Sequence, residues 1–297
     1  MKLTGVYPPL ITPATATDDV DTDTLATHVT TLAAAGVDGF FPCGTVGEFT
    51  SLTNEHRSTA IRTVVEHADG KPVLAGCGGN SVADVVTQIE TAAAAGADVA
   101  VVITPYYLET DDAGVERFFE TVLERSPLPV LIYTIPFLTH TPISVESVRR
   151  LAASDRVVGI KDSSGDARFH SRLNAETDEE FTVLQGITDH AIISVAGGSD
   201  GLIPGVANVA PKALVEVYEA TRAGNYDRAL ELHTTVIDPL RYAFDGSSLT
   251  AGLKYALRER GLDVGGPFPP LTALSDDEQV RISDRLADVP EKFLYRV

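Results

Sequence analysis

Short apolar runs alternate with longer amphipathic stretches along most of the chain. The runs are Val6–Thr12, Gly39–Phe41, Pro72–Ala75, Val99–Ile103, Val130–Tyr133, Val157–Lys161, Thr182–Gln185 and Gly201–Pro204. A short apolar run bounded by turn residues reads as a buried strand. The stretches between and after them, at about 23–35, 53–68, 81–95, 114–124, 145–152, 166–177, 189–196 and 211–223, read as helices. One joint recurs in three places: Ala33-Ala34-Ala35-Gly36-Val37-Asp38-Gly39, Ala93-Ala94-Ala95-Gly96-Ala97-Asp98-Val99 and Val195-Ala196-Gly197-Gly198-Ser199-Asp200-Gly201. Each is a helix closing on a glycine able to take left-handed backbone, followed by a short turn into a strand. Recurrence of one joint predicts a repeated βα unit. Eight such units imply parallel strands with right-handed crossovers, closed into a (β/α)8 TIM barrel. An open doubly wound sheet would usually carry a glycine-rich phosphate turn after the first strand, where this chain has Pro13-Ala14-Thr15-Ala16.

Beyond the eighth unit, Tyr226–Phe244, Ser247–Arg260 and Ser275–Leu286 read as helices. The expected division is therefore a barrel over 1–224 and a C-terminal helical appendage over 225–297, packed on the barrel because no low-complexity linker separates the two. A length of 297 residues suits one barrel of this kind.

Composition narrows the function classes. There are 42 acidic residues against 23 basic, a net charge of −19 spread along the chain. Nucleic-acid binding needs basic surface and is not expected. Only six lysines occur among the basic residues. Abundant carboxylate with scarce lysine suits high salt, where screening relieves self-repulsion, and points to a halophilic source. No long apolar window suggests a membrane span, and Met1–Pro13 does not read as a signal peptide. Two cysteines, Cys43 and Cys77, fit a reducing compartment. The expected location is the cytoplasm.

In a barrel of this type the active site lies at the C-terminal ends of the strands. Lys161 ends a strand. Lys2 is terminal, Lys71 precedes a strand, Lys212 opens a helix, Lys254 is mid-helix and Lys292 is in the tail. Lys161 alone stands at the catalytic end. A lysine there can simply snorkel to water. Buried, its charged form is disfavoured, and the neutral amine can form a Schiff base with a ketone. Tyr133 ends the neighbouring strand and is placed to shuttle protons. Gly44-Thr45-Val46-Gly47 follows the second strand, and its two glycines let backbone N–H groups converge as an anion nest. His28, His67 and His233 lack ligand spacing, and Cys43 and Cys77 have no third metal ligand beside them, so no metal is expected. His140 lies near the site, as a solvated loop residue or a contact to a substrate hydroxyl. Asp162 and Asp166 read as caps of the following helix.

Pro8-Pro9-Leu10-Ile11-Thr12-Pro13, Gly44-Thr45-Val46-Gly47-Glu48, Thr104-Pro105-Tyr106-Tyr107, Tyr133-Thr134-Ile135-Pro136 and Gly159-Ile160-Lys161-Asp162 occur in that order. With these motifs the chain resembles, over essentially its whole length, the dihydrodipicolinate synthase/N-acetylneuraminate lyase family of class I pyruvate-dependent aldolases. The resemblance implies that Lys161 forms a Schiff base with C2 of pyruvate or a 2-keto acid, and that Tyr133 is the general acid/base. Thr45 would link Tyr133 to Tyr107, which in relatives reaches across a subunit interface of a homotetramer. The N–H groups of Thr45 and Val46 would hold the keto-acid carboxylate. Ile203 would line the pyruvate pocket, Ser163 would contact a substrate hydroxyl, and Gly186 would offer its backbone. No organic cofactor is implied.

Two departures bear on the choice of member. Val46 stands where many relatives carry a second hydroxyl residue. Leu138 stands where dihydrodipicolinate synthases carry an arginine for the carboxylate of aspartate semialdehyde, and an unpaired carboxylate binds poorly in an apolar pocket. Lysine biosynthesis is therefore disfavoured. The resemblance is greatest to aldolases of halophilic archaea that cleave 2-keto-3-deoxygluconate, or its 6-phosphate, to pyruvate and an aldehyde. The alternatives are a dehydratase of keto-deoxy sugar acids and a silent keto-acid sensor.

Overall fold

The computed structural model describes residues 1–296. Its centre is a seven-stranded, wholly parallel sheet in the order β1-β7-β6-β5-β4-β3-β2. The strands are β1 Gly5–Val6, β2 Leu74–Gly76, β3 Val99–Ile103, β4 Val130–Thr134, β5 Val157–Asp162, β6 Thr182–Gln185 and β7 Gly201–Leu202. Every strand residue is buried, as expected of a parallel sheet covered on both faces. Alternation still sorts the side chains. Val99, Val101, Ile103, Leu131 and Tyr133 pack in one cluster with Phe41 and Leu184, while Ala100, Val102, Val130 and Ile132 join a larger cluster with the helices.

Gly201–Pro204 keeps Gly201–Leu202 as strand and Pro72–Ala75 shifts to Leu74–Gly76, while two expected strands lose most of their length. The Val6–Thr12 run keeps only Gly5–Val6 as strand, and Gly39–Phe41 forms single parallel bridges, Pro9 with Phe41 and Phe40 with Val73. Prolines explain both. Pro8, Pro9, Pro42 and Pro72 flank this stretch and supply no N–H to extend a ladder. The bonds that remain join the two edges of the sheet. Phe41 N donates to Pro8 O at 3.0 Å, Leu10 N to Phe41 O at 2.9 Å, Phe40 N to Pro72 O at 2.9 Å and Leu74 N to Phe40 O at 2.8 Å.

Helices follow the strands near the predicted positions, at Thr22–Ala34, Asn54–His67, Val82–Ala94, Asp112–Arg125, Val145–Ala152, Ala167–Glu176, Ala191–Ala196 and Pro211–Arg222. The structure adds a four-residue helix, Pro136–Thr139, to these. The recurring joint has a shared geometry. Gly36, Gly96 and Gly198 take φ of 94°, 91° and 105°. The aspartate after each joint then grips a neighbouring strand. Asp38 accepts from Val6 N at 2.8 Å, Asp98 from Val73 N at 2.9 Å and Asp200 from Val183 N at 2.8 Å. Each aspartate N–H donates back to the same residue's carbonyl. The joint is a two-way latch onto the neighbouring strand.

The C-terminal helices are Tyr226–Leu232, Asp238–Phe244, Leu249–Glu259 and Asp276–Ala287. The first two are continuous through a π-helical turn at His233–Ile237. Ser275 and Glu278 form a reciprocal capping box at the start of the last. Among the described residues, no helix is long and apolar enough to cross a membrane.

Candidate active site

Strand register sets the centre of the site. Tyr133 on β4 lies opposite Lys161 on β5, so both side chains leave the sheet at the same level and on the same side. Lys161 is not the last strand residue, since β5 runs on through Asp162. Its Nζ sits 3.9 Å above the Tyr133 ring centroid and 5.0 Å from that of Phe41. The residue is 4 % exposed. Burial holds its pKa down from the usual lysine value to about 7, so much of the amine is neutral near pH 7.

Burial pushes the Tyr133 phenol up to about 12, with the hydroxyls of Thr45 and then Ser163 pulling the other way. Thr45 Oγ1 lies 3.1 Å from Tyr133 OH. Ser163 is buried and its N–H donates to Thr134 O at 2.9 Å, which turns the chain back over the strand ends. Gly186 follows β6, and its N–H donates to Asp162 O at 2.7 Å. A Cβ there would fall 2.0 Å from Ser163 Oγ and 3.0 Å from Lys161 Cε. The glycine keeps space open beside the amine.

These groups line one cavity of about 690 Å³, together with Val46, Ile203 and Leu138. That volume suits a small organic ligand. Seven of the eight residues singled out from the sequence thus converge: Thr45, Val46, Tyr133, Lys161, Ser163, Gly186 and Ile203. Tyr107 does not. It is 86 % exposed, in left-handed backbone at φ 76°, and its neighbour Tyr106 lines the cavity instead. His140 is exposed and outside the lining. Cys43 and Cys77 are buried, and burial pushes both thiols up. Among the described residues, no group of three or more His, Cys, Asp or Glu is placed to hold a metal ion.

Asp162 corrects a sequence expectation. Asp166 caps the helix Ala167–Glu176, accepting from Arg168 N and Phe169 N. Asp162 instead accepts from Ser164 N at 2.7 Å, and its other oxygen meets His170 Nδ1 at 2.8 Å. His170 Nε2 continues to Ser199 Oγ at 2.5 Å. This buried chain braces the end of β5 directly behind Lys161. No local signal marks it, because its members come from a strand, a helix and a joint.

The C-terminal region also lines the cavity, which no local sequence pattern signals. Ser247, Ser248, Leu249, Thr250, Pro270 and Leu271 form one wall of the cavity. Glu48 ends the Gly44–Gly47 turn and lies 2.6 Å from Lys254 Nζ, both fully buried. Lys254 is therefore a second buried lysine, which a mid-helix position does not suggest.

Comparisons with known proteins give the family of the chain. The chain matches the dihydrodipicolinate synthetase family over residues 2–289. It is 37% identical over 290 residues to an uncharacterized DapA-like lyase of Halobacterium salinarum, covering 97% of this chain and 95% of that one. It is 35% identical over 288 residues to a 4-hydroxy-tetrahydrodipicolinate synthase of Methanothrix thermoacetophila, covering 97% of each. Among solved structures, a prophage protein of the dihydrodipicolinic acid synthase family from E. coli K12, in complex with pyruvate, superposes with a TM-score of 0.90 at 32% identity, covering 96% of this chain and 98% of that one.

Proposed function

The chain belongs to the dihydrodipicolinate synthetase family of pyruvate-dependent lyases of aldolase type, and from that premise we propose that it cleaves a 2-keto-3-deoxy sugar acid, 2-keto-3-deoxygluconate or its 6-phosphate, through a Schiff base on Lys161. One observation carries the reading. The Lys161 amine is buried over the Tyr133 ring, with burial as the cause of its lowered pKa. A nucleophile needs that state, whereas a structural lysine would be paired.

The chemistry follows from the two side chains. The neutral amine adds to the C2 carbonyl. Tyr133, protonated at rest, gives its proton to the departing hydroxyl, so water leaves and an iminium remains. The phenolate left behind is a strong base because its pKa is high. It takes the C4 hydroxyl proton, the C3–C4 electron pair moves into the iminium, and an aldehyde departs. Tyr133 passes that proton to C3, water adds to the iminium as the phenolate takes a proton from it, and collapse of the adduct releases pyruvate and the neutral amine. The Thr45 and Val46 N–H groups hold the substrate carboxylate, and Ser163 meets a hydroxyl. Ile203 lines the pyruvate end, and Gly186 leaves room for C3.

The barrel spans 1–224 and the helical region 225–297 packs on it through its described residues, Val297 lying outside them. Tyr107, exposed in one chain, reaches a neighbour's site in a homotetramer, which light scattering tests. The enzyme is cytoplasmic and works in high salt, and a thermal midpoint that does not rise in molar KCl would sink that part.

Pyruvate trapped with borohydride should add one reduced adduct per chain, on the peptide carrying Lys161. An adduct on any other lysine sinks the mechanism. A second reading, 4-hydroxy-tetrahydrodipicolinate synthase, is favoured by the names of relatives such as that of Methanothrix thermoacetophila. Leu138, half exposed at the cavity mouth, weighs against it. Faster condensation of pyruvate with aspartate semialdehyde than cleavage of any keto-deoxy sugar acid would favour that second reading.

A further inference from the structure

The turn that carries Thr45 and Val46 does not hold its shape alone. Within it, Glu48 N donates to Thr45 O at 3.1 Å and Phe49 N to Gly44 O at 3.3 Å. From outside, Thr12 Oγ1 donates to Gly47 O at 2.8 Å, and Thr250 Oγ1 to Val46 O at 3.3 Å. Glu48 takes left-handed backbone at φ 59°, which is unfavourable for a residue with a Cβ and persists only where the surroundings impose it. Those surroundings are in the C-terminal region. The Glu48 carboxylate meets Lys254 Nζ at 2.6 Å and accepts from Phe268 N at 2.6 Å. Lys254 donates onward to Gly266 O at 2.7 Å and lies 4.9 Å over the Phe268 ring. A carboxylate and an ammonium so deeply buried are costly to desolvate and often contribute little net stability. A geometric role would account for the arrangement.

We propose that Glu48 and Lys254 are positioning residues. Their ion pair fixes the backbone N–H groups of Thr45 and Val46 against the helix Leu249–Glu259, and so sets how tightly the substrate carboxylate is held. The inference rests on the preceding reading that this turn receives the carboxylate. It makes the helical region a functional part of the site, acting on the substrate through the turn.

The test separates geometry from simple bracing. Lys254→Met alone strands a buried carboxylate, so the double variant Glu48→Gln/Lys254→Met, which leaves no unpaired charge, is the one to use. Borohydride trapping on the full chain gives a half-saturating concentration for pyruvate and for methyl pyruvate, which has the same ketone and no carboxylate. The double variant should need at least about tenfold more pyruvate, a change of about 1.4 kcal/mol in binding. Its methyl pyruvate value should stay within about twofold of the wild type, with the adduct still on Lys161. If the two values move together, or neither moves, the proposal is overturned. Should the double variant not fold, Glu48→Gln decides. It removes the charge of the pair and keeps the side chain's size, and should raise the pyruvate value about threefold while sparing methyl pyruvate. No change overturns the proposal. A wild type that forms no adduct with pyruvate defeats the aldolase reading itself, and this inference falls with it.

Discussion

Lys161 and Lys254 are both buried lysines near one cavity, and their surroundings give them opposite roles. Lys254 is 1 % exposed and faces a carboxylate at 2.6 Å, a backbone carbonyl and a ring face. Burial lowers its pKa, and Glu48 opposes that shift. Lys161 meets aromatic faces, and burial by itself lowers its pKa. A paired ammonium is a fastener, and a desolvated amine beside a phenol is a reagent. Burial alone therefore does not identify a catalytic lysine. The partner, or its absence among the described residues, does.

The largest expected effect breaks the pair of roles at the reagent. Lys161→Ala should abolish both turnover and the borohydride adduct, while Lys254→Met should leave an adduct on Lys161 in whatever fraction stays folded. Peptide mapping of the trapped protein reads both. Adduct formation in Lys161→Ala would end the distinction.

Next in size is Tyr133→Phe. The ring that lies over Lys161 stays and the proton carrier goes, so turnover should fall about 10²–10⁴-fold. The contact between Thr45 and the phenol disappears, yet the fold should be unchanged, since Phe keeps the ring that packs against Phe41. A single-turnover assay with circular dichroism separates the two effects.

Stability inverts the order. Removing one partner of a buried ion pair leaves an uncompensated charge and typically costs about 3–5 kcal/mol. Lys254→Met should therefore lower the unfolding free energy markedly. Lys161→Met should not lower it by this route, because Lys161 leaves no carboxylate behind. Urea melts of the two variants give the contrast directly, and equal losses would mean that Lys161 is structural too.

The sequence reveals one of these lysines more readily than the other for a physical reason. Lys161 is legible because strand period, turn chemistry and barrel geometry together put it at one end of β5, and Tyr133 follows from the adjacent strand. The αβ joints are legible as well, since Gly36, Gly96 and Gly198 with Asp38, Asp98 and Asp200 repeat at fixed offsets. The Glu48–Lys254 pair joins residues that are 206 positions apart by their numbering, with no local pattern at either end. The Asp162–His170–Ser199 chain and the cavity wall from Ser247 to Leu271 are likewise products of tertiary packing. Residues 39–41 have the composition of a strand, but flanking prolines reduce them to bridges. Local chemistry thus locates the reagents, and long-range contacts fix what holds them.

The smallest effect, and the sharpest for the comparison, is in pH. Only the neutral amine adds to a ketone, so below about 7, the pKa to which burial holds Lys161, adduct formation should slow about tenfold per pH unit. Above it the rate should level off. Stability carries the same signature with a definite sign. Unfolded, the lysine binds its proton up to about pH 10.4, while in the fold it has lost that proton above about 7. Between those values the unfolded chain holds more protons, so this group makes stability rise with pH, by at most about 1.4 kcal/mol per unit. Below about 7 both states are protonated and the contribution is flat. The difference in unfolding free energy between the wild type and Lys161→Met, measured at several pH values, isolates this group from the carboxylates and histidines. It should slope upward above about pH 7. A flat difference through that window would show that Lys161 stays charged in the fold, and the two lysines would then differ in position alone.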